Sequence, residues 1–219
     1  MPCLVLKQGH SHLTSGINCQ DSGCVTDKIK FVADGCGEST NSEVGAQLAA
    51  LHMHITENPS IQQLYENLYT KLIANASLDT IKNYFLFTTL LLEETDTTFE
   101  LSYIGDGYVI LIDHHNKITY MNLEEPGPPP FGAYNFIDPK RLAYHHEGVE
   151  IKRIAFSKND FLNVGVATDG LRFISHLDKV LMDEFETLLL RAMNGCSLRL
   201  KLFINKHHSV FQDDITIAI

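Results

Sequence analysis

The sequence lacks the features of membrane and nucleic-acid-binding proteins. None of its apolar runs approaches the roughly 18 residues that a membrane-spanning helix needs. The apolar patch near the N-terminus is far too short for a signal peptide. Basic residues number 17 against 27 acidic ones, which gives a net charge of −10, and no cluster of lysine and arginine stands out. We therefore expect neither a membrane nor nucleic acid to be the main partner.

The sequence also lacks common zinc-binding patterns. No two of its five cysteines form C-x-x-C, and none of its eleven histidines lies in an H-E-x-x-H motif. No obvious pair of nucleophile and base stands out either. Because thiols stay reduced in the cytoplasm, the simplest prediction is a cytoplasmic protein with free cysteines.

Length and composition are those of a globular protein. The 219 residues are 44% hydrophobic and 20% charged, which suits one domain with a sizeable core. Neither an internal repeat nor a linker is visible. We therefore expect a single domain spanning residues 1–219.

Hydrophobic periodicity predicts two consecutive helices, at 42–57 and 59–76, with Ser42 as N-cap of the first. The apolar face of the first helix would consist of Val44, Leu48, Leu51 and Ile55, and that of the second of Ile61, Leu64, Leu68 and Leu72. A third helical region at 176–206 is expected to break at Asn194–Gly195.

Strand patterns alternate with these helical regions. Strands are predicted within 3–9 and 22–34, and four short runs between 85 and 122 predict an antiparallel meander. The Pro- and Gly-rich segment 124–135 is expected to be irregular, and "DITIAI" to be a terminal strand. Because strands come in hairpins, we predict an α/β (α+β layered) fold with mainly antiparallel sheets.

Five aspartates at the turns between apolar runs are the most informative feature of the chain. They are Asp21, Asp34, Asp106, Asp169 and Asp213. Each alone is explained equally well as a turn residue, since Asp-Gly is common in turns. If the strand ends converge, however, the carboxylates would repel one another unless cations lay between them. Oxygen ligands without histidine or cysteine favour hard cations such as Mg²⁺ or Mn²⁺.

In this order, the motifs "CQD", "VADGCG", "GDG", "TDG" and "DDIT" resemble those of the metal-dependent protein phosphatases (PPM, or type 2C). The resemblance runs from about residue 9 to the C-terminus and is closest to compact bacterial members. It implies two packed antiparallel sheets flanked by helix pairs, in an α-β-β-α sandwich. The metal site would lie at one end of this sandwich.

The resemblance also implies a role for each aspartate. Asp34 would bridge two metal ions, and the backbone carbonyl of Gly35 would bind one of them. Asp169 and Asp213 would bind the other ion; of the adjacent Asp213 and Asp214, the D-x-x-T pattern selects Asp213. The remaining candidates are Asp21, which would contact metal through water, and Asp106, which would bind a third, weaker ion.

Some residues depart from the family pattern. The position of a phosphate-binding arginine in many members falls on Gly16, and no arginine precedes Arg141. His12 or Lys7 could replace it. Cys36 stands where eukaryotic members have a histidine that is thought to act as general acid, so that water or His12 would protonate the leaving group. The region that would form the flap is short, at 124–140.

These features predict an Mn²⁺- or Mg²⁺-dependent serine/threonine phosphatase with two, or three, metal ions. A hydroxide held between two ions would attack the phosphorus, so no protein nucleophile is required. Family analogy suggests a phosphorylated protein as substrate, a Ser/Thr kinase as counterpart and a monomeric state. Two alternatives stay open: a pseudophosphatase that binds a phosphoprotein or partner without turnover, and a metal-dependent hydrolase of small phosphoesters.

Overall fold

A computed structural model describes residues 2–219, apart from the side chain of Tyr69; Met1, the first residue of the predicted domain, lies outside this range. Within this range, ten strands form two five-stranded sheets in which every neighbouring pair is antiparallel. The first sheet has the order β1 (Leu4–Lys7), β10 (Ile215–Ala218), β9 (Phe161–Ala167), β6 (Tyr108–Asp113) and β7 (Ile118–Asn122). The second has the order β2 (Asp21–Val25), β3 (Ile29–Gly35), β4 (Phe87–Glu94), β5 (Thr98–Ile104) and β8 (Lys152–Ser157).

In the described part of the chain, six α-helices accompany the sheets: α1 (His10–Ser15), α2 (Ser42–Ile55), α3 (Ile61–Leu68), α4 (Leu78–Tyr84), α5 (Lys179–Met193) and α6 (Ser197–Lys206). A π-helical turn (Tyr69–Ile73) extends α3, and 3-10 helices occur at Gly132–Phe136, Pro139–Arg141 and Asp169–His176. Among the described residues, no helix combines the length and the apolar character that crossing a membrane requires.

Three apolar clusters hold the layers together. One cluster lies between the two sheets and includes Val32, Leu90, Val109 and Val166. A second joins α2, α3 and α4 to the outer face of the second sheet, and a third joins α5 and α6 to the outer face of the first. The predicted α-β-β-α layering is therefore confirmed, because each sheet buries one face against the other sheet and one against helices.

The prediction for the first helix was right about its existence and wrong about its buried face. Helix α2 buries Ala46, Ala49 and Met53, whereas Val44, Leu51 and Ile55 are exposed. Small residues face the sheet because α2 packs closely against β2 and β3. Ser42 is the first helical residue and not the N-cap, which is Asn41. The buried Ser42 hydroxyl instead donates a hydrogen bond to the Cys36 carbonyl.

The second predicted helix also differs in detail. It buries Ile61, Leu64 and Leu68, but Leu72 is exposed because the π-helical turn changes the direction of the side chains. After this turn, Ser77 caps a further helix, α4, which the periodicity did not predict. The expected break at 194–195 is confirmed between α5 and α6.

The predicted meander is divided between the two sheets. Strands β4 and β5 pair in the second sheet, and β6 and β7 pair in the first. The chain crosses from one sheet to the other at Gly105–Gly107, so β5 and β6 are not neighbours. Two further elements were missed: α1, in a segment expected to be a loop, and the edge strand β8.

Candidate functional site

Two of the predicted aspartates face each other across the β2–β3 ladder. Asp21 begins β2, Asp34 lies one residue before the end of β3, and the two are direct cross-strand partners. Beside them, the Gly35 amide donates to the Gln20 carbonyl at 3.1 Å. Both carboxylates therefore lie at the same end of the second sheet.

Asp169 is brought to this end by the first sheet. It opens the 3-10 helix that follows β9, and the chain passes very close to β10 at this point. A Cβ on Gly170 would lie 1.8 Å from the Asp214 carbonyl oxygen, so only glycine fits there. The preceding Thr168 joins the two sheets, because its hydroxyl donates to Asp21 Oδ2 at 2.6 Å and accepts from the Thr216 amide at 2.9 Å.

The adjacent Asp213 and Asp214 have different surroundings. Asp214 is 2% exposed, and its carboxylate accepts from the amides of Gly9 and Gln20 at 2.7 and 2.6 Å. His12 Nδ1 lies 2.9 Å from the same carboxylate. Asp214 thus ties three segments together, whereas the Asp213 side chain is 35% exposed and faces the cavity described below.

Most of the predicted site residues line one open cavity of about 790 Å³. They are Asp34, Gly35, Asp106, Asp169, Asp213 and His12. Asp21 is only 2% exposed, next to its partner Asp34. Within residues 2–219, the lining of this cavity includes His12 but not Lys7. The lining also includes residues of the 128–144 segment, among them Arg141, together with Lys82 of α4.

Burial and mutual repulsion raise the pKa values of several carboxylates in this cluster. Burial raises the pKa of Asp21 to about 8; the hydrogen bond from Thr168 opposes the shift and the charge of Asp214 adds to it. Burial, followed by the charges of Asp21 and Asp169, raises the pKa of Asp34 well above its usual range. Burial likewise raises the pKa of Asp169 to about 6, although Arg172 opposes that shift. Burial also raises the pKa of Asp106.

Such a cluster is chemically suited to divalent cations. Asp21 Oδ1 is buried and has no hydrogen-bond partner among the described residues, although a carboxylate oxygen in that position needs one. The ligand atoms that the cluster offers are all oxygens, which Mg²⁺ and Mn²⁺ prefer. Within residues 2–219, no three His, Cys, Asp or Glu side chains are already grouped to hold a metal ion. Two of the carboxylates, those of Asp169 and Asp213, point instead to Arg172.

Sequence reasoning missed four residues that organise the site: Arg172, Thr168, Gln20 and the role of Asp214. The Gln20 side chain donates to the Ser39 carbonyl and to Ser42 Oγ, which links β2 to the start of α2. Of these four residues, only Arg172 could have been identified from the sequence, because it follows Asp169 by three residues and Asp169 begins a turn.

The chain was compared with known families and solved structures. The family model described as protein phosphatase 2C matches residues 8–202. No curated protein matches the chain significantly. Among solved structures, the chain resembles a bacterial serine phosphatase with a TM-score of 0.61 at 15% identity; the match covers 99% of this chain and 95% of the other.

Two further solved structures are similar over nearly their whole length. The phosphatase Stp1 from Staphylococcus aureus has a TM-score of 0.60 at 13% identity, covering 99% of this chain and 92% of that one. The catalytic domain of the serine/threonine phosphatase PstP, solved in complex with two manganese ions, has a TM-score of 0.60 at 12% identity and coverages of 100% and 96%. At such identities these likenesses show a shared fold.

Proposed function

Because the chain belongs to the protein phosphatase 2C family, whose members hydrolyse phosphoric monoesters, we propose that it dephosphorylates phosphoserine and phosphothreonine in proteins using Mn²⁺ or Mg²⁺. The observation that carries this proposal is the carboxylate cluster at the cavity. Aspartates from both sheets meet there, and one buried oxygen of Asp21 has no partner among the described residues. Divalent cations would relieve both the repulsion and the unsatisfied oxygen.

We assign the metal ligands as the resemblance to the family implies, and all of them except Asp21 line the cavity. Asp34 would bridge two ions, and the carbonyl of Gly35 would bind one of them. Asp169 and Asp213 would bind the other ion. Asp21 would contact a metal ion through water, and Asp106 would hold a third ion. When bound, the ions would neutralise the phosphate oxygens and activate the attacking water.

His12 has the geometry of a proton donor or phosphate-binding group. Its Nδ1 is fixed by Asp214 at 2.9 Å, and its Nε2 lies 3.8 Å from Asp213 Oδ1. A ring held at one nitrogen presents the other in a defined direction. We assign to His12 two roles: contacting the substrate phosphate and protonating the leaving alkoxide.

The form of the cavity favours a peptide over a small phosphoester. At about 790 Å³ it is much larger than a phosphate group, and it continues between the metal cluster and the 128–144 segment. Tyr134 and the exposed Tyr144 offer apolar contacts there, while Lys82 and Arg141 add positive charge. We propose that these residues bind the chain on either side of the phosphorylated residue.

One observation favours a second candidate, a pseudophosphatase that binds a phosphoprotein without turnover. Arg172 already neutralises Asp169 and Asp213, as a residue would in a site that had lost its metal. Metal titration separates the two candidates, because a binding module of this kind would take up Mn²⁺ poorly.

The decisive experiment is hydrolysis of p-nitrophenyl phosphate and of a phosphothreonine peptide with Mn²⁺, with Mg²⁺ and with EDTA. We expect metal-dependent activity that Asp34→Asn and Asp169→Asn abolish while the fold is retained. Asp96→Asn, in the exposed turn between β4 and β5, is the matched control for charge. Activity that survives in EDTA, or near-normal turnover in either site variant, would contradict the proposal.

The remaining assignments follow family analogy. We propose that residues 1–219 form one phosphatase domain that acts as a monomer in the cytoplasm, opposite a Ser/Thr kinase. Light scattering on the purified protein measures the oligomeric state directly, and a dimer would contradict that part.

A further inference from the structure

A single guanidinium joins two aspartates that come from distant parts of the chain. Arg172 Nη1 donates to Asp169 Oδ2 at 2.6 Å, and Nη2 donates to Asp213 Oδ2 at 3.1 Å. Asp169 follows β9 and Asp213 precedes β10, so the arginine bridges the ends of two neighbouring strands. These two carboxylates are also the ones that the proposed function assigns to a common metal ion.

The guanidinium and a metal ion therefore compete for the same two carboxylates. A carboxylate oxygen that accepts a charged hydrogen bond at 2.6 Å is a weaker ligand for a cation, and the guanidinium charge repels a dication held by the same side chains. Metal binding at Asp169 and Asp213 therefore favours departure of the arginine.

The Arg172 side chain is exposed enough to change its position. Arg172 is half exposed and lies on the surface of the short 3-10 helix Asp169–His176, with its guanidinium carbon 5.1 Å from the centre of the Phe173 ring. Exposed ion pairs are weak, typically about 0.2–1 kcal/mol each, so a metal ion can displace two of them. Since the backbone of Arg172 is only three residues from Asp169, the released guanidinium stays beside the site.

The substrate supplies the next partner for this group. A planar guanidinium with five donors matches the oxygens of a phosphate better than any other side chain does. The chain has no arginine before Arg141, and Gly16 ends α1 in a left-handed conformation at φ +69°, which favours glycine. The nearest arginine to the carboxylate cluster is the one that already contacts it.

We propose that Arg172 is a mobile counter-ion that holds Asp169 and Asp213 in the metal-free protein, leaves them when metal binds, and then contacts the substrate phosphate. This inference rests on the proposed function, in which those carboxylates bind metal. It assigns Arg172 as a positioning residue for the metal site and as a substrate-binding residue in the loaded enzyme.

Calorimetric titration of Mn²⁺ tests the first half. We expect Arg172→Gln to bind the weaker-bound Mn²⁺ about twofold to thirtyfold more tightly than the wild type, because two competing ion pairs are gone. Arg172→Lys keeps the positive charge but loses the guanidinium that contacts both aspartates. Its Mn²⁺ affinity should therefore lie between those of the wild type and Arg172→Gln. The matched control is Arg153→Gln on the exposed face of β8, which removes the same charge away from the site. Equal or weaker Mn²⁺ binding by Arg172→Gln would overturn the competition.

Inhibition by inorganic phosphate tests the second half. At saturating Mn²⁺, the inhibition constant for phosphate against p-nitrophenyl phosphate should rise about tenfold in Arg172→Gln, as expected for a lost charged hydrogen bond, and less in Arg172→Lys. An unchanged constant would overturn the phosphate contact. Wild-type protein that binds no Mn²⁺ would instead refute the proposed function, so the two failures are distinguishable. Thermal scans in EDTA confirm that each variant is folded.

Discussion

Asp21→Asn is expected to stabilise the metal-free protein while damaging the metal-loaded one. Asp21 is 2% exposed, faces Asp34 across the β2–β3 ladder, and leaves Oδ1 without a hydrogen-bond partner among the described residues. Asparagine has almost the same shape and can still accept the hydrogen bond from Thr168. Its amide group can in addition donate toward Asp34. The substitution therefore removes a buried ionisable group without leaving a hole.

The expected magnitude follows from the protonation of Asp21. Its pKa is raised from 3.8 to about 8, so at pH 7 the folded, metal-free protein holds a proton that the unfolded chain has released. Keeping a carboxyl of pKa 3.8 neutral at pH 7 costs up to about 4 kcal/mol, at about 1.4 kcal/mol per pH unit. Allowing for relaxation of the site, we expect a gain in unfolding free energy of about 2–4 kcal/mol. For a protein of this size, that raises the midpoint by roughly 4–16 °C.

Thermal unfolding in EDTA and in saturating Mn²⁺ measures both effects. In EDTA the midpoint of Asp21→Asn should lie above that of the wild type, and the increase caused by Mn²⁺ should shrink. Asp96→Asn, with the same change in charge on an exposed turn, should match the wild type in both conditions. The reasoning fails if Asp21→Asn is less stable than the wild type in EDTA, or if Mn²⁺ stabilises both proteins equally.

Two further predictions concern pH and the substrate. Because the pKa values of Asp21 and Asp169 are raised to about 8 and about 6, the unfolded chain releases these protons first as pH rises. The metal-free protein should therefore lose stability between about pH 4 and pH 8, and less so with Mn²⁺; midpoints in EDTA that climb across this range would contradict the shifts. Arg141→Gln and Lys82→Gln should raise KM for a phosphothreonine peptide about threefold to tenfold and leave KM for p-nitrophenyl phosphate nearly unchanged, because both residues line the cavity and we assign them to the peptide flanking the phosphate. Steady-state kinetics on both substrates, with Arg153→Gln as control, would refute this if the two KM values rose equally.

The sequence predicted the layers of the fold better than the orientation of individual elements. Alternation and helical periodicity identify α2 and the paired strands because burial on one face imposes a period. The period does not say which face is buried when small residues occupy one side. In α2, mostly alanine and glycine pack closely against neighbouring elements, with Met53 buried near the end of the helix, whereas Val44, Leu51 and Ile55 remain outside.

The division of the meander between two sheets could not have been predicted from pattern alone. Strand pairing depends on hydrogen bonds between segments, and the turn Gly105–Gly107 reads equally well as a hairpin or as a crossing. The edge strand β8 was missed because it follows a long irregular segment and lacks a clear alternation. What defines it is its antiparallel pairing with β5, which runs from the pair Thr98 and Ser157 to the pair Tyr103 and Lys152.

The convergence of the aspartates could be predicted because each one lies at or beside the end of an element, and turn chemistry is local. The hydrogen-bond partners that hold the carboxylates in place could not be predicted, because they are distant from them in the sequence. Asp214 accepts hydrogen bonds from Gly9, Gln20 and His12, which are about 200 positions away in the sequence. Its neighbour Asp213 has the same chemistry and a more exposed place. What distinguishes the two carboxylates is the set of donors that folding brings to each of them. Asp214 is held by three segments, whereas Asp213 lines the cavity and pairs with Arg172.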